Sequence, residues 1–153
     1  TIAPNLPPIA VDKISIAEVV TNLLDNAIKY SADKGQNIWV ESTLDKDGMV
    51  QTTVKDEGVG IPDSVVPNLF AKFSRNHRNR NQIAGTGLGL FLSKSIVSAH
   101  KGNIWVSSKE GKGTTIGFTL LPFSKLAEVD KKDDNGITRT SHGWIKNHSM
   151  QRR

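Results

Sequence analysis

The hydrophobic periodicity of this chain switches between helical and strand spacing in a fixed order, and that order limits the folds open to it. Ile16, Val19, Val20, Leu23, Leu24, Ala27 and Ile28 recur at helical spacing, with Ser15 and Glu18 forming an S-x-x-E capping box at the start. The pattern predicts a helix from about Ile16 to Tyr30. "NIWVESTL" (37–44) and "MVQTTVKD" (49–56) then alternate as strands around the turn "DKDG". "IPDSVVPNLFAKF" reads as a short helical region opened by Pro62. The polar stretch "SRNHRNRNQIA" has no period and reads as a loop. Leu88, Leu92, Ile96 and Ala99 return to helical spacing up to Gly102, and "NIWVSS" and "TTIGFTLL" close the series as strands around "KEGKG". Helix, hairpin, helix, loop, helix, hairpin predicts a two-layer α/β sandwich, with a mixed, mostly antiparallel sheet covered on one face by helices. Beyond Pro122 the pattern dissolves, which places a domain at 1–123 and a tail at 124–153 that is flexible or needs a partner.

At 153 residues, 37% of them hydrophobic, the chain supports one domain with a core. The absence of cysteine removes disulfides, thiolate metal sites and a cysteine nucleophile. No apolar run approaches the roughly 20 residues of a membrane-spanning helix, and "TIAPNLPPIAVDK" lacks the basic front and apolar middle of a signal peptide. The first residue is Thr1, so a piece of a longer protein is expected. The net charge of +5 is unevenly placed: Arg75, Arg78 and Arg80 give +3 to residues 74–84, the tail's seven Lys/Arg against four Asp/Glu give another +3, and the body is left at −1. A nucleic-acid surface carries its positive charge on the fold itself, so no nucleic-acid partner is expected.

Four segments carry polar groups in places that need a reason. Asn22, Asn26 and Lys29 share one flank of the first helix, although asparagine is a poor helix-interior residue. Their amide oxygens suit a hard cation such as Mg²⁺, with Lys29 on a phosphate; a solvated helix flank is the alternative. Asp56 is in phase with Val50, Thr52 and Val54, so it turns toward the apolar face. A carboxylate there needs a donor. An adenine amino group would serve, with Gly58 and Gly60 letting the chain pass a flat base, and so would an internal turn donor. Phe70 and Phe73 read as core anchors. The arginine-bearing loop after them is open between a nucleotide lid, a surface loop and a basic arm, although it lacks the aromatics of a base-stacking platform.

"GTGLGLFLSKSIVSAHKG" (85–102) puts three alternate glycines before a helix. A dinucleotide fingerprint would follow a strand as G-x-G-x-x-G, and a P-loop would need G-x-x-x-x-G-K-[ST]; neither fits. A eukaryotic-type kinase glycine loop lies between strands, whereas this one enters a helix. What remains is a lid's end whose backbone N–H groups cradle phosphate.

Together these segments resemble the ATP-binding catalytic domain of sensor histidine kinases, within the GHKL group of gyrase-like, chaperone-like, kinase and mismatch-repair ATPases. "NLLDNAIKY" is similar to the N box, "DEGVGIP" to the G1 box, "LFAKF" to the F box, "GTGLGL" to the G2 box and "GKGTT" to the last glycine box, in the family's order over roughly Asn5 to Pro122. The resemblance implies that Asn26 ligates Mg²⁺ with Asn22 in support, and that Asn22, Asn26 and Lys29 form the catalytic set. Lys29 would meet phosphate, Tyr30 would lie beside the base, and Asp56 would accept from adenine N6. Gly58 and Gly60 would shape the base pocket, with Thr115 behind it near Asp56. Gly85, Gly87, Gly89 and Leu88 would close on the phosphates, with Arg75 as the lid's phosphate ligand. Ile61, Phe73, Thr86 and Leu90 complete the implied nucleotide-binding set.

Two departures refine what the resemblance implies. ATP-hydrolysing members of the group place a glutamate where this chain has Asn22, an amide that cannot act as a base, so transfer to a protein side chain is expected over hydrolysis. Nor do His77, His100, His142 and His148 stand in an H-[ED]-x-x-[TN] setting. The phosphoacceptor histidine is therefore expected on a separate dimerisation domain, with a response regulator receiving the phosphate. This chain alone is expected to be a cytoplasmic monomer without membrane contact, inactive in autophosphorylation, within a homodimeric whole. The alternatives are a GHKL anti-sigma serine kinase or ATPase, and a non-catalytic nucleotide sensor.

Overall fold

A computed structural model describes residues 1–31, 37–73, 86–126, 139–140 and 143–144. Its elements are α1 (Lys13–Ser31), β1 (Ile38–Leu44), β2 (Val50–Asp56), a 3-10 turn (Val66–Asn68), α2 (Gly89–Ala99), β3 (Asn103–Lys109), β4 (Gly113–Leu120), β5 (Arg139–Thr140) and β6 (Gly143–Trp144). The first four strands form one sheet in the order β1-β2-β4-β3, antiparallel at every step. The N-terminus adds a parallel contact to its β1 edge, where Ala3 N–H donates to Ser42 O and Ser42 N–H to Thr1 O at 2.9 and 3.0 Å. The two-layer sandwich expected from the sequence is thus the observed architecture, its four named strands antiparallel throughout and the N-terminal bridge the one parallel contact among the described residues.

The cross-strand register sorts the sheet's inner face into rows. Val40, Val54, Ile116 and Val106 make one row, and Ser42, Thr52, Phe118 and Ile104 the next. Against them pack Val19, Leu23 and Ala27 of α1 and Val97 of α2. Phe118 and Leu23 are 1% exposed, and burying each such side chain contributes about 1.5–3 kcal/mol. The last row, Ile38, Asp56, Thr114 and Ser108, turns largely polar at the end of the sheet. The outer face has no helix among the described residues; there Trp105 lies over Gly117, and the Lys55 ammonium sits 5.1 Å from the Trp39 ring centre.

Several boundaries differ from the sequence expectation. α1 begins at Lys13, capped by Asp12, whose Oδ1 accepts the Ser15 N–H at 2.7 Å. Asp12 and Ser15 are both good caps, and the earlier one wins because Ile16 N–H already bonds to Asp12 O. Ile28 is 56% exposed, since the buried stripe of α1 follows Val19, Leu23 and Ala27. The buried stripe of α2 is Ser93 and Val97 rather than Leu92, which is 39% exposed. A serine there narrows the helix where it meets α1. The region after Pro62 forms turns and a single 3-10 turn rather than a longer helix. In the tail, Phe123 N–H donates to Pro8 O at 2.8 Å, Lys125 Nζ reaches Asp47 O at 2.6 Å, and β5 pairs with β6.

Candidate active site

The second half of α1 is approached from two sides. At its C-terminal end, Val59 N–H donates to Tyr30 O at 3.1 Å. A Cβ on Gly58 would run into that same carbonyl, so only glycine lets β2 leave the sheet this close to the helix. One turn earlier than Asn26, Gly89 of α2 faces Asn22: a Cβ on Gly89 would stand 3.3 Å from Asn22 Oδ1, and Asn22 Nδ2 lies 3.5 Å from the buried Ser93 hydroxyl. The loop after β2 and the N-terminus of α2 therefore flank one stretch of helix, Asn22 to Tyr30. Asn22 and Asn26 are half-buried and Lys29 exposed on that stretch. Tyr30 is 41% exposed.

Asp56 closes β2 at 7% exposure. Its Oδ1 accepts the Gly58 N–H at 2.8 Å and the Thr114 N–H at 3.2 Å, so Oδ2 is left as the outward acceptor. Burial raises the carboxyl above its ordinary value, and the two N–H bonds pull in the opposite direction. The internal-donor reading of Asp56 is thus what the fold displays, with two backbone N–H groups on one oxygen. Gly60 takes a φ of +69° with its α-carbon pressed against Lys109 O, and Ile61 N–H bonds to Ser108 Oγ at 2.8 Å. The loop after β2 is thereby fastened to the β3–β4 hairpin.

Not every expected residue lands in this cluster. Thr115 pairs with Lys55 and Ser107, and strand alternation puts it on the face opposite Asp56; the register partner of Asp56 is Thr114. A one-residue step is enough to exchange the faces. Phe73 is 70% exposed at a φ of +59°, and its N–H bonds to Gly87 O at 3.1 Å, tying the F-box end to the glycine run. Leu88 is the N-cap of α2, the Leu88 N–H meets Thr86 Oγ1 at 3.3 Å, and Leu90 packs on the core. Arg75 and Gly85 lie outside the described residues. Three hydroxyl residues that the sequence reading did not single out adjoin the expected ones: Thr114 and Ser108 beside Asp56, and Ser93 beside Asn22. The sole sequence signal for them was a hydroxyl in phase with buried positions.

The donor set fits Mg·ATP. A loop that only glycine lets pass Tyr30 O and Lys109 O, a second carboxylate oxygen on Asp56, and α2 N–H groups without intrahelical acceptors suit a flat base, its amino group and phosphates respectively. Among the described residues no group of three or more His, Cys, Asp or Glu could hold a metal. The amide oxygens of Asn22 and Asn26 would be the protein ligands to a Mg²⁺ held mainly by phosphate and water.

Residues 11–125 match the family described as Histidine kinase-, DNA gyrase B-, and HSP90-like ATPase. The chain is 40% identical over 131 residues to the sensor histidine kinase WalK of Bacillus subtilis (strain 168), covering 82% of this chain and 21% of that one. It is 44% identical over 116 residues to the adaptive-response sensory kinase SasA of Synechococcus sp. (strain JA-3-3Ab), covering 76% and 30%. The structure of the mycobacterial sensor histidine kinase MprB superposes with a TM-score of 0.64 at 29% identity over 80% of each chain. The chain therefore spans under a third of the length of these two curated relatives.

Proposed function

Because the chain belongs to the histidine kinase-, DNA gyrase B-, and HSP90-like ATPase family, as the catalytic domain found in sensor histidine kinases, we propose that it binds Mg·ATP and presents the γ-phosphate to a histidine on a phosphoacceptor domain of the same kinase. The observation that carries this is the convergence on Asn22–Tyr30 of the Asp56–Gly60 loop from one side and the N-terminus of α2 from the other. Asp56 Oδ2 accepts from the adenine amino group, and Gly58 and Gly60 keep the loop clear of the ring. Asn26 and Asn22 hold the metal, Lys29 and Arg75 neutralise phosphate charge, and the α2 N-terminus with Gly85, Gly87 and Gly89 binds the phosphate oxygens. Mg²⁺ supplies charge neutralisation on the phosphates when bound. Asn22 offers no base for water, which supports transfer over hydrolysis.

In the whole kinase the phosphate then passes from histidine to an aspartate of a response regulator. We place this domain in the cytoplasm as a monomer, with dimerisation residing in the phosphoacceptor helices. Among the described residues no helix is long and apolar enough to cross a membrane. The relatives found are sensor kinases, which disfavours an anti-sigma serine kinase or stand-alone ATPase.

Calorimetric titration of ATP, with Mg²⁺ and then with a chelator, tests the binding. One-to-one binding that weakens without metal is expected. Absence of binding in both conditions overturns the proposal. Labelled ATP mixed with this chain and a helical phosphoacceptor domain supplied in trans should give an acid-labile phosphohistidine. Labelled inorganic phosphate released without labelled histidine would indicate an ATPase instead.

A further inference from the structure

Ser108 has no part in the function described so far, yet its hydroxyl stands where three segments meet. It donates to Gly113 O at 2.9 Å, since a carbonyl can only accept. It accepts the Ile61 N–H at 2.8 Å, and it lies 2.9 Å from Thr114 Oγ1. A serine hydroxyl carries one proton and two lone pairs. The proton is used on Gly113, so the bond between the two hydroxyls runs from Thr114 to Ser108. The Thr114 hydroxyl thereby loses its only proton to an internal bond, and what it offers outward is a lone pair.

Thr114 is the cross-strand partner of Asp56 on the same face of the sheet, and its N–H holds Asp56 Oδ1. Side chains directly opposite on adjacent strands stand about 4.5–5.5 Å apart at Cβ. Asp56 and Thr114, each with an acceptor oxygen, are thus direct cross-strand neighbours on one face. A ligand group with two N–H bonds satisfies both, whereas a carbonyl oxygen at the same place faces two lone pairs. We propose that Ser108 is a specificity-determining positioning residue: by taking the Thr114 proton it fixes that hydroxyl as an acceptor and so selects a six-amino purine over a six-oxo purine. This inference rests on the nucleotide-binding reading of the site.

The test compares ATP with inosine triphosphate, whose ring differs only in carrying a carbonyl and a ring N–H where adenine has its amino group and bare nitrogen. Both are titrated calorimetrically into the whole chain and its variants. Ser108→Ala frees the Thr114 proton, so the ATP-to-ITP affinity ratio should fall by about 3- to 10-fold, the worth of one neutral hydrogen bond. Ser108→Thr, which restores the hydroxyl on a strand that tolerates branching, should recover the ratio. Thr114→Val, nearly isosteric, should lower the ratio as Ser108→Ala does, and the double variant no further. An unchanged ratio in Ser108→Ala, with both affinities intact or both equally weakened, overturns the inference alone. If the unaltered chain binds no ATP, the nucleotide-binding reading itself is overturned and this inference with it.

Discussion

Asp56 is held by two opposing demands: the fold buries it, and the proposed adenine recognition needs it charged. Because burial raises its folded value, the neutral form is favoured in the fold, and its contribution to stability declines as pH rises from the ordinary carboxylate value through the raised one. Adenine recognition runs the other way, since the ionised oxygen is the stronger acceptor. ATP affinity should therefore rise with pH across that window while the melting temperature of the free protein loses the Asp56 contribution; parallel calorimetric titrations and thermal melts would show it. Asp56→Asn presents an amide N–H₂ to the adenine amino group and should cost about 1.5–3 kcal/mol of binding, roughly 10- to 150-fold in Kd. A variant that binds ATP like the parent would remove Asp56 from the site. Asp12 titrates in the opposite sense. The Ser15 N–H bond lowers its value, so its stabilisation is present above the ordinary carboxylate value and is lost as pH falls through the lowered one. Asp12→Ala should lower the melting temperature at neutral pH and flatten the acid limb of the stability curve, whereas Ser15→Ala, which removes the Ser15 side-chain bond to Asp12 but keeps the capping N–H, should do the same to a smaller extent.

Between elements, the contact that positions the site is α1 against α2. The helices run past one another with His100 at one end, where its Nε2 accepts the Asp12 N–H at 3.1 Å and its Nδ1 donates to Ile96 O at 2.8 Å. At the other end Gly89 and Ser93 admit the Asn22 amide. A side chain at 89 would crowd the Asn22 amide, which would have to yield by a few tenths of an ångström. Gly89→Ala should gain up to about 1 kcal/mol in helix propensity while pushing the Asn22 amide away. The expected result is a melting temperature equal to or above the parent's, with ATP affinity reduced and its Mg²⁺ dependence blunted. A parallel rise in stability and affinity would show that Asn22 has no part in metal binding. The sheet contributes stiffness: the Asp56–Gly60 loop is fastened to the β3–β4 hairpin through Ile61, Ser108 and the Gly111 N–H on Val59 O at 2.7 Å.

For the whole molecule, ties between the first fifty residues and the segment after β4 draw residues up to 125 onto the fold, two beyond the boundary at 123 expected from the sequence. Ile9 bridges Pro122, Phe123 bonds to Pro8, and Lys125 reaches Asp47, all before residue 127. We therefore expect a chain ending at Leu126 to keep the melting temperature and ATP affinity of the full sequence. A drop in either would show that residues beyond 126 belong to the folded unit.

Periodicity, turn chemistry and the box residues in the sequence determined the order of the two long helices and the four strands of the main sheet, the sandwich, the buried Asp56 and the Asn22–Asn26–Lys29 flank. These are local properties, set by spacing along one strand or one helix. Register and helix rotation were decided only by the tertiary structure, because each depends on a neighbour distant in the chain. Thr114 rather than Thr115 meets Asp56 because β2 and β4 pair with Asp56 opposite Thr114, and Ser93 is buried because Asn22 needs a small neighbour. The direction of the Thr114 proton belongs to the same class, for it depends on Gly113 and Ile61 having already claimed the other bonds of Ser108.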